Sequence, residues 1–202
     1  MIRVQPRPEY AAFDADVRVP GRSFLQTNPN PSSRDFDGHN YWRHAKGELR
    51  DAYVHCAYTS LRPHGSDVSV DHFLPKTRHP QLAYEWDNYR LARPKLNQNK
   101  ADSEAVVDPF DVCEGWFVLD VPSCLVFPAD NLEPQTYAEV SSSIGLLRLN
   151  SNELAEERSR WLVALAEGRL SLDYVRKQYP FLALEVERQG VEGQLRTLFS
   201  LE

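Results

Sequence analysis

Residues 70–102 read VDHFLPKTRHPQLAYEWDNYRLARPKLNQNKAD, and the order of their polar and apolar positions decides the fold. Val68-Ser69-Val70-Asp71-His72-Phe73 alternates and is partly β-branched, which predicts a strand. Pro75 and Pro80 bracket a loop, and Tyr89-Arg90-Leu91-Ala92 predicts a second short strand. Leu96 to Asp102, following Pro94, suits a short helix, because proline is tolerated in a first turn. The expected order is strand, loop, strand, helix.

Upstream, Tyr41, Ala45, Leu49, Ala52, Tyr53 and Cys56 recur at spacings of three and four, predicting a helix at about 38–55 with Asp37 as its cap. Residues 1–37 are proline-rich and read as an extended arm anchored by Tyr10, Phe13, Val17, Val19, Phe24 and Leu25. Downstream, strands at 116–121 and 124–127 flank Pro122-Ser123 as a hairpin. Ser151 caps a helix with Leu154, Arg158, Trp161, Leu162 and Leu165 on one face, ending near Gly168. Ser171 and Pro180 open two more, and Gly190 and Gly193 interrupt the last. The fold class is α+β: a ββα unit in a mixed domain with a helical C-terminal part. Its stretches are an arm (1–37), the core with its preceding helix (38–110), a hairpin and connecting segment (111–150) and helices (151–202), together expected to form one compact domain.

Composition excludes several classes. The 202 residues are 42% hydrophobic with nine Phe, nine Tyr and four Trp, enough to bury a core, so a disordered tail is excluded. No uncharged apolar run approaches the ~18 residues of a transmembrane helix, and MIRVQPRPEY has no apolar leader core. A cytoplasmic protein without membrane partners is expected. Cys56, Cys113 and Cys124 are an odd set without paired spacing, which favours reduced thiols and leaves a Cys113–Cys124 bridge as the alternative. The net charge of −6 is uneven: residues 71–100 carry six Lys/Arg against three Asp/Glu, whereas 101–150 carry one against nine. The one clearly basic window coincides with the ββα stretch, and local field matters more than net charge for phosphate contact.

That stretch also holds the chemistry. An Asp carboxylate and an Asn carboxamide oxygen are hard donors suited to a Mg²⁺ that keeps several waters. A neutral His near such an ion is able to take a proton from water near pH 7. Successive strand residues point to opposite faces, so Asp71 and His72 share one site only where the strand bends, at Phe73-Leu74-Pro75. Taken singly, each has a plainer role: Asp71-His72 as a structural pair, Asn88 as a turn residue, Asn97 as a helix cap.

In order and spacing, this run resembles HNH endonucleases of the ββα-metal class. Its closest likeness is to the HNH subunits of Septu-type bacterial anti-phage systems, which accompany an ATPase. The resemblance covers about 56–102 and continues weakly through Asp108-Pro109-Phe110 and Leu147-Arg148-Leu149-Asn150. It implies that Asp71 and Asn97 are metal ligands, His72 the general base, and Asn88 the residue that braces the loop and orients His72. Lys100 would face phosphate or a neighbouring carboxylate, and Lys76, Arg90, Arg93 and Lys95 are candidate phosphate contacts. The cofactor implied is Mg²⁺ or Mn²⁺. Many family members also hold a structural zinc with two C-x-x-C pairs. Here Cys56-Ala57-Tyr58-Thr59 and Arg93-Pro94-Lys95-Leu96 stand in those places, so no structural zinc is expected.

The resulting expectation is a metal-dependent HNH endonuclease acting on DNA, as effector of a defence system with an ATPase or sensor partner. Two alternatives stand beside it: a catalytically silent HNH-fold adaptor, and a nuclease acting on structured RNA or tRNA.

Overall fold

Ser69–His72 (β1) pairs antiparallel with Tyr89–Ala92 (β2) in a computed structural model that describes residues 1–201. Ser69 lies opposite Ala92, and His72 opposite Tyr89. The helix Pro94–Lys100 follows, with Pro94 in its first turn and Arg93 extended before it. The expected order of strand, loop, strand and helix is present, with the strands two residues shorter in total than the alternation suggests.

The chain divides into two compact units, each assembled from stretches that are not consecutive in sequence. One unit takes Val4–Ala57 and Pro63–Glu104; the other takes Met1–Arg3, Tyr58–Arg62 and the segment from Ala105 onward. Two short segments join the later unit through specific bonds. Arg3 Nε donates to the Phe110 carbonyl at 3.1 Å, and the Arg62 N–H to that of Gln178 at 2.8 Å. Pairings across such sequence distances leave no local signature.

In the first unit the N-terminal stretch is not an extended arm. A π-helical turn at Asp14–Arg18 runs into the helix Val19–Thr27, and a 3₁₀ turn follows at Ser33–Phe36. Phe13, Val17, Gly21 and Phe24 recur at helical spacing and are buried. They meet the loop between the strands: Phe13 stands edge-on to Trp86 and Phe24 to Tyr84. The expected helix at 38–55 contracts to a 3₁₀ turn at Tyr41–Arg43 and the helix Lys46–Tyr53. The core of this unit gathers Phe13, Phe36, Leu49, Val70, Trp86 and Leu91.

In the second unit, Phe117–Asp120 (β3) and Leu125–Pro128 (β4) form the expected hairpin, followed by helices. The helix Pro134–Leu146 lies where the sequence suggests only a connection, because Ser141-Ser142-Ser143 blurs its apolar face. Ser151 caps Asn152–Ala166 and Ser171 caps Leu172–Gln178, each side chain accepting an orphan N–H. Pro180–Gln189 ends at Gly190, whose φ of 63° closes a left-handed cap. A 3₁₀ turn at Glu192–Gln194 leads into Leu195–Leu198.

Side chains finish both edges of the hairpin. The Asn150 carboxamide accepts from the Val126 N–H and donates to its carbonyl, both at 2.8 Å. On the other strand the Leu119 N–H donates to Glu185 Oε2 and its carbonyl accepts from Gln189 Nε2, again at 2.8 Å. Arg158 is buried and donates to the carbonyls of Cys124 and Leu149 at 2.6 and 2.9 Å, tying the hairpin turn to the start of the helical region. All three cysteines are free thiols, so the Cys113–Cys124 alternative is absent. No helix among the described residues is long and apolar enough to cross a membrane.

Gly21 lies so close to the Tyr84 ring that an added Cβ would fall 2.1 Å from Cγ. Gly21→Ala is therefore expected to destabilise the fold by about 1–3 kcal/mol, the usual cost of overpacking. Urea unfolding checks this, and an unchanged midpoint would mean that Tyr84 has room to move.

Candidate functional site

The loop between β1 and β2 is folded back on itself by one side chain. Asn88 Oδ1 accepts from the Leu74 N–H at 2.8 Å, and Nδ2 donates to the carbonyls of Leu74 (3.0 Å) and Leu82 (3.2 Å). The Phe73 N–H donates to the Asn88 carbonyl at 2.8 Å, extending the hairpin by one rung. Asn88 thus joins both ends of the loop, and no aliphatic residue offers this set of donors and acceptors.

The closed loop presents the Ala83 carbonyl to His72. His72 Nε2 lies 2.9 Å from that oxygen, and since a carbonyl only accepts, Nε2 carries the proton. Nδ1 is then the ring nitrogen left to accept one. The Tyr89 hydroxyl donates to the same carbonyl at 2.8 Å. Trp42 and Tyr89 stand edge-on to the imidazole at 4.8 and 5.2 Å between centroids. His72 keeps 9% of its surface exposed. Burial, and secondarily the nearby Lys76 ammonium, push its pKa down to about 3. It is a neutral imidazole of fixed tautomer at physiological pH.

Asp71 has different neighbours, as the alternation of strand side chains requires. It is 1% exposed, and its Oδ1 accepts from Lys100 Nζ at 3.2 Å. Lys100, also 1% exposed, donates in addition to the His72 carbonyl at 2.9 Å. One turn earlier, Asn97 Nδ2 donates to the Val70 carbonyl at 3.1 Å and to Ser69 Oγ at 3.2 Å. Lys100 and Asn97 together fasten the helix Pro94–Lys100 along β1. This brings Asp71, Asn97 and Lys100 to one strand–helix junction, with His72 and Asn88 in the loop at the strand's end.

A carboxylate and a carboxamide oxygen suit a hard cation in kind, and Mg²⁺ is commonly held by one or two protein ligands with waters completing its shell. No group of three His, Cys, Asp or Glu side chains able to hold a metal occurs among the described residues. Lys100 already supplies Asp71 with positive charge. The two donor types suit a hydrated Mg²⁺ or Mn²⁺ in kind, but the Asp71 carboxylate is buried against Lys100, so an ion at this junction would have to share that carboxylate with the ammonium.

The expected phosphate contacts separate. Arg90 is 3% exposed, donates to the carbonyls of Asp87 (2.7 Å) and Tyr89 (3.0 Å), and lies over the Phe73 ring. Buried in this way it is a structural cation, which corrects its reading as a backbone contact. Lys100 is corrected likewise: of its two expected roles, facing phosphate or a carboxylate, it takes the second. Arg93 pairs with Asp67 at 3.3 Å. Lys95 is exposed, and Lys76 is half-buried beside His72.

Sequence reasoning missed the wall of the site. Trp42 and Phe36 come from a region that looked like arm and helix start, and Tyr84 donates to the His39 carbonyl at 2.7 Å to hold the two segments together. Their aromatic density was visible, but its target was not. The acidic residues after the helix are also engaged: Asp102 accepts from Thr77, and Glu104 from Arg78 and His79. No protein-family model matches the chain, and no curated protein matches it.

The depressed pKa of His72 has a consequence for stability. Between its unfolded value of 6.5 and about 3, the unfolded chain binds a proton that the folded chain refuses, so stability falls as pH drops through that window. This group adds a slope of up to about 1.4 kcal/mol per pH unit. Urea unfolding from pH 7 to 4 is expected to show a shallower dependence in His72→Asn; identical slopes would mean that His72 titrates alike in both states.

Proposed function

We propose that this chain is a metal-dependent HNH endonuclease that hydrolyses phosphodiester bonds in DNA. The observation that carries the reading is His72: a buried neutral imidazole with Nε2 fixed on the Ala83 carbonyl and Nδ1 left as base, one residue from a carboxylate at a strand–helix junction. Neither a core histidine nor a helix cap needs that arrangement together with Asn88 and Asn97.

Asp71 and Asn97 would hold Mg²⁺ or Mn²⁺ in this reading, and the ion would supply positive charge to the reacting phosphate. His72 Nδ1 accepts a proton from water as the water oxygen bonds to phosphorus and the P–O3′ bond breaks. A phosphate anion arriving beside His72 favours the imidazolium that forms, offsetting part of the desolvation that lowers its basicity. Asn88 keeps the Ala83 carbonyl in place and so fixes which nitrogen is the base. DNA as substrate, and service as effector beside an ATPase or sensor partner in anti-phage defence, rest on the resemblance of residues 56–102.

One observation favours a second reading, a silent HNH-fold adaptor. The Lys100 ammonium already neutralises Asp71, so the junction is satisfied without a metal. Cleavage and metal binding separate the two. Plasmid DNA incubated with Mg²⁺ or Mn²⁺ is expected to be nicked or linearised by the wild type. His72→Ala should reduce this by at least about 100-fold, the usual contribution of a general base, while keeping its circular-dichroism spectrum. Calorimetric titration with Mn²⁺ is expected to show binding that Asp71→Asn weakens; absence of both binding and cleavage overturns the nuclease reading for the isolated chain and favours the adaptor.

A further inference from the structure

The loop that carries His72 also carries an unusual lysine. Pro75 is buried, and its carbonyl accepts from the N–H groups of Arg78 (3.0 Å) and His79 (2.8 Å), closing a tight turn around Lys76. The turn places the Lys76 ammonium over the aromatic wall. Its Nζ stands 5.3 Å from the centroid of Trp42 and 5.6 Å from that of Phe36. Trp42 is the same ring that stands edge-on to His72 at 4.8 Å.

Lys76 is half-buried, yet among the described residues its ammonium makes no hydrogen bond and no ion pair. This differs from the other buried or half-buried cations of the unit. Lys100 has Asp71 and the His72 carbonyl, Arg93 has Asp67, and Arg18 has Glu9, Asp14 and Glu85. Burial pushes the Lys76 pKa down, and Asp102, Asp37 and Asp71, within electrostatic reach but not in contact, offset part of that. An ammonium held by aromatic faces alone is attracted to them but keeps its strong N–H donors unspent. The Lys76 ammonium is not among the buried polar atoms that lack a partner, so it stays open to an anion arriving from solvent.

We propose that Lys76, seated on Trp42 and Phe36, is the receptor for a phosphodiester oxygen next to His72. The proposal rests on the nuclease reading for the identity of the anion, but not for the existence of the site. Lys76 supplies charge-assisted hydrogen bonds to a non-bridging oxygen, and Trp42 is a positioning residue that aligns both the ammonium and the imidazole. The site binds the anion without a divalent ion, so substrate recognition and metal binding are separable in this chain.

The test uses the full chain in EDTA and dimethyl phosphate as the probe. The Trp42 indole N–H signal, assigned with Trp42→Phe, is followed by NMR as the probe is added. The wild type is expected to give a saturable shift. Lys76→Met, which keeps an apolar stem without the ammonium, should weaken binding by about tenfold or more, the scale of one charge-assisted hydrogen bond. Lys76→Arg should restore most of it. With duplex DNA and Mn²⁺, Lys76→Met should raise KM more than it lowers kcat.

No saturable shift in the wild type, or equal affinity in Lys76→Met, overturns the proposal. Cleavage with unchanged KM in Lys76→Met overturns it while leaving the nuclease reading intact. Phosphate binding that depends on Lys76 in a protein that cuts nothing supports the site and removes the nuclease reading.

Discussion

The ion pair between Lys100 and Asp71 is the constraint on which the ββα unit depends. Both groups are withdrawn from water, and removing the carboxylate would leave the buried Lys100 ammonium without its anionic partner, at a cost of several kcal/mol. Because Lys100 also reaches the His72 carbonyl, the pair fixes the end of β1 as well as the helix. Three residues away on that helix, Asn97 makes the second attachment, to Val70 and Ser69. The strand end, where the functional residues lie, is therefore held from the helix side before the loop contributes anything.

The loop supplies the other half. Asn88 joins Leu74 and Leu82, which places the Ala83 carbonyl where it orders the imidazole. Trp42 and Tyr89, edge-on to the imidazole, then remove water from the ring. The charges divide cleanly in consequence. Asp71 and Lys100 neutralise each other at the junction, whereas His72 stays neutral and burial pushes the Lys76 pKa down on the loop side.

The ββα order was legible because its signals are local. Alternation marks β1, Pro75 and Pro80 mark the loop, and Pro94 opens the helix. The caps at Ser151 and Ser171 were legible for the same reason: a hydroxyl answers an N–H three residues away. What failed depends on distant partners. Val17, Gly21 and Phe24 form a helix whose apolar face has meaning only against Tyr84 and Trp86, and the prolines of that stretch pointed to an extended chain. Arg90 and Lys100 looked like surface cations because spacing says nothing of burial. Trp42 and Phe36 were out of reach for site assignment, since nothing local links them to His72.

The hairpin of the second unit has a consequence of a different kind. Two-stranded ribbons normally display main-chain donors and acceptors along both margins, and these recruit further strands from other molecules. Here Asn150 answers Val126 on one margin, while Glu185 and Gln189 answer Leu119 on the other. Each set of side chains acts as a one-residue imitation of a neighbouring strand. Growth of the sheet is blocked at both margins, which protects the ribbon from intermolecular strand pairing. Any molecule that docks on this ribbon has to recognise its side chains, including the exposed Phe127, rather than add itself to the sheet.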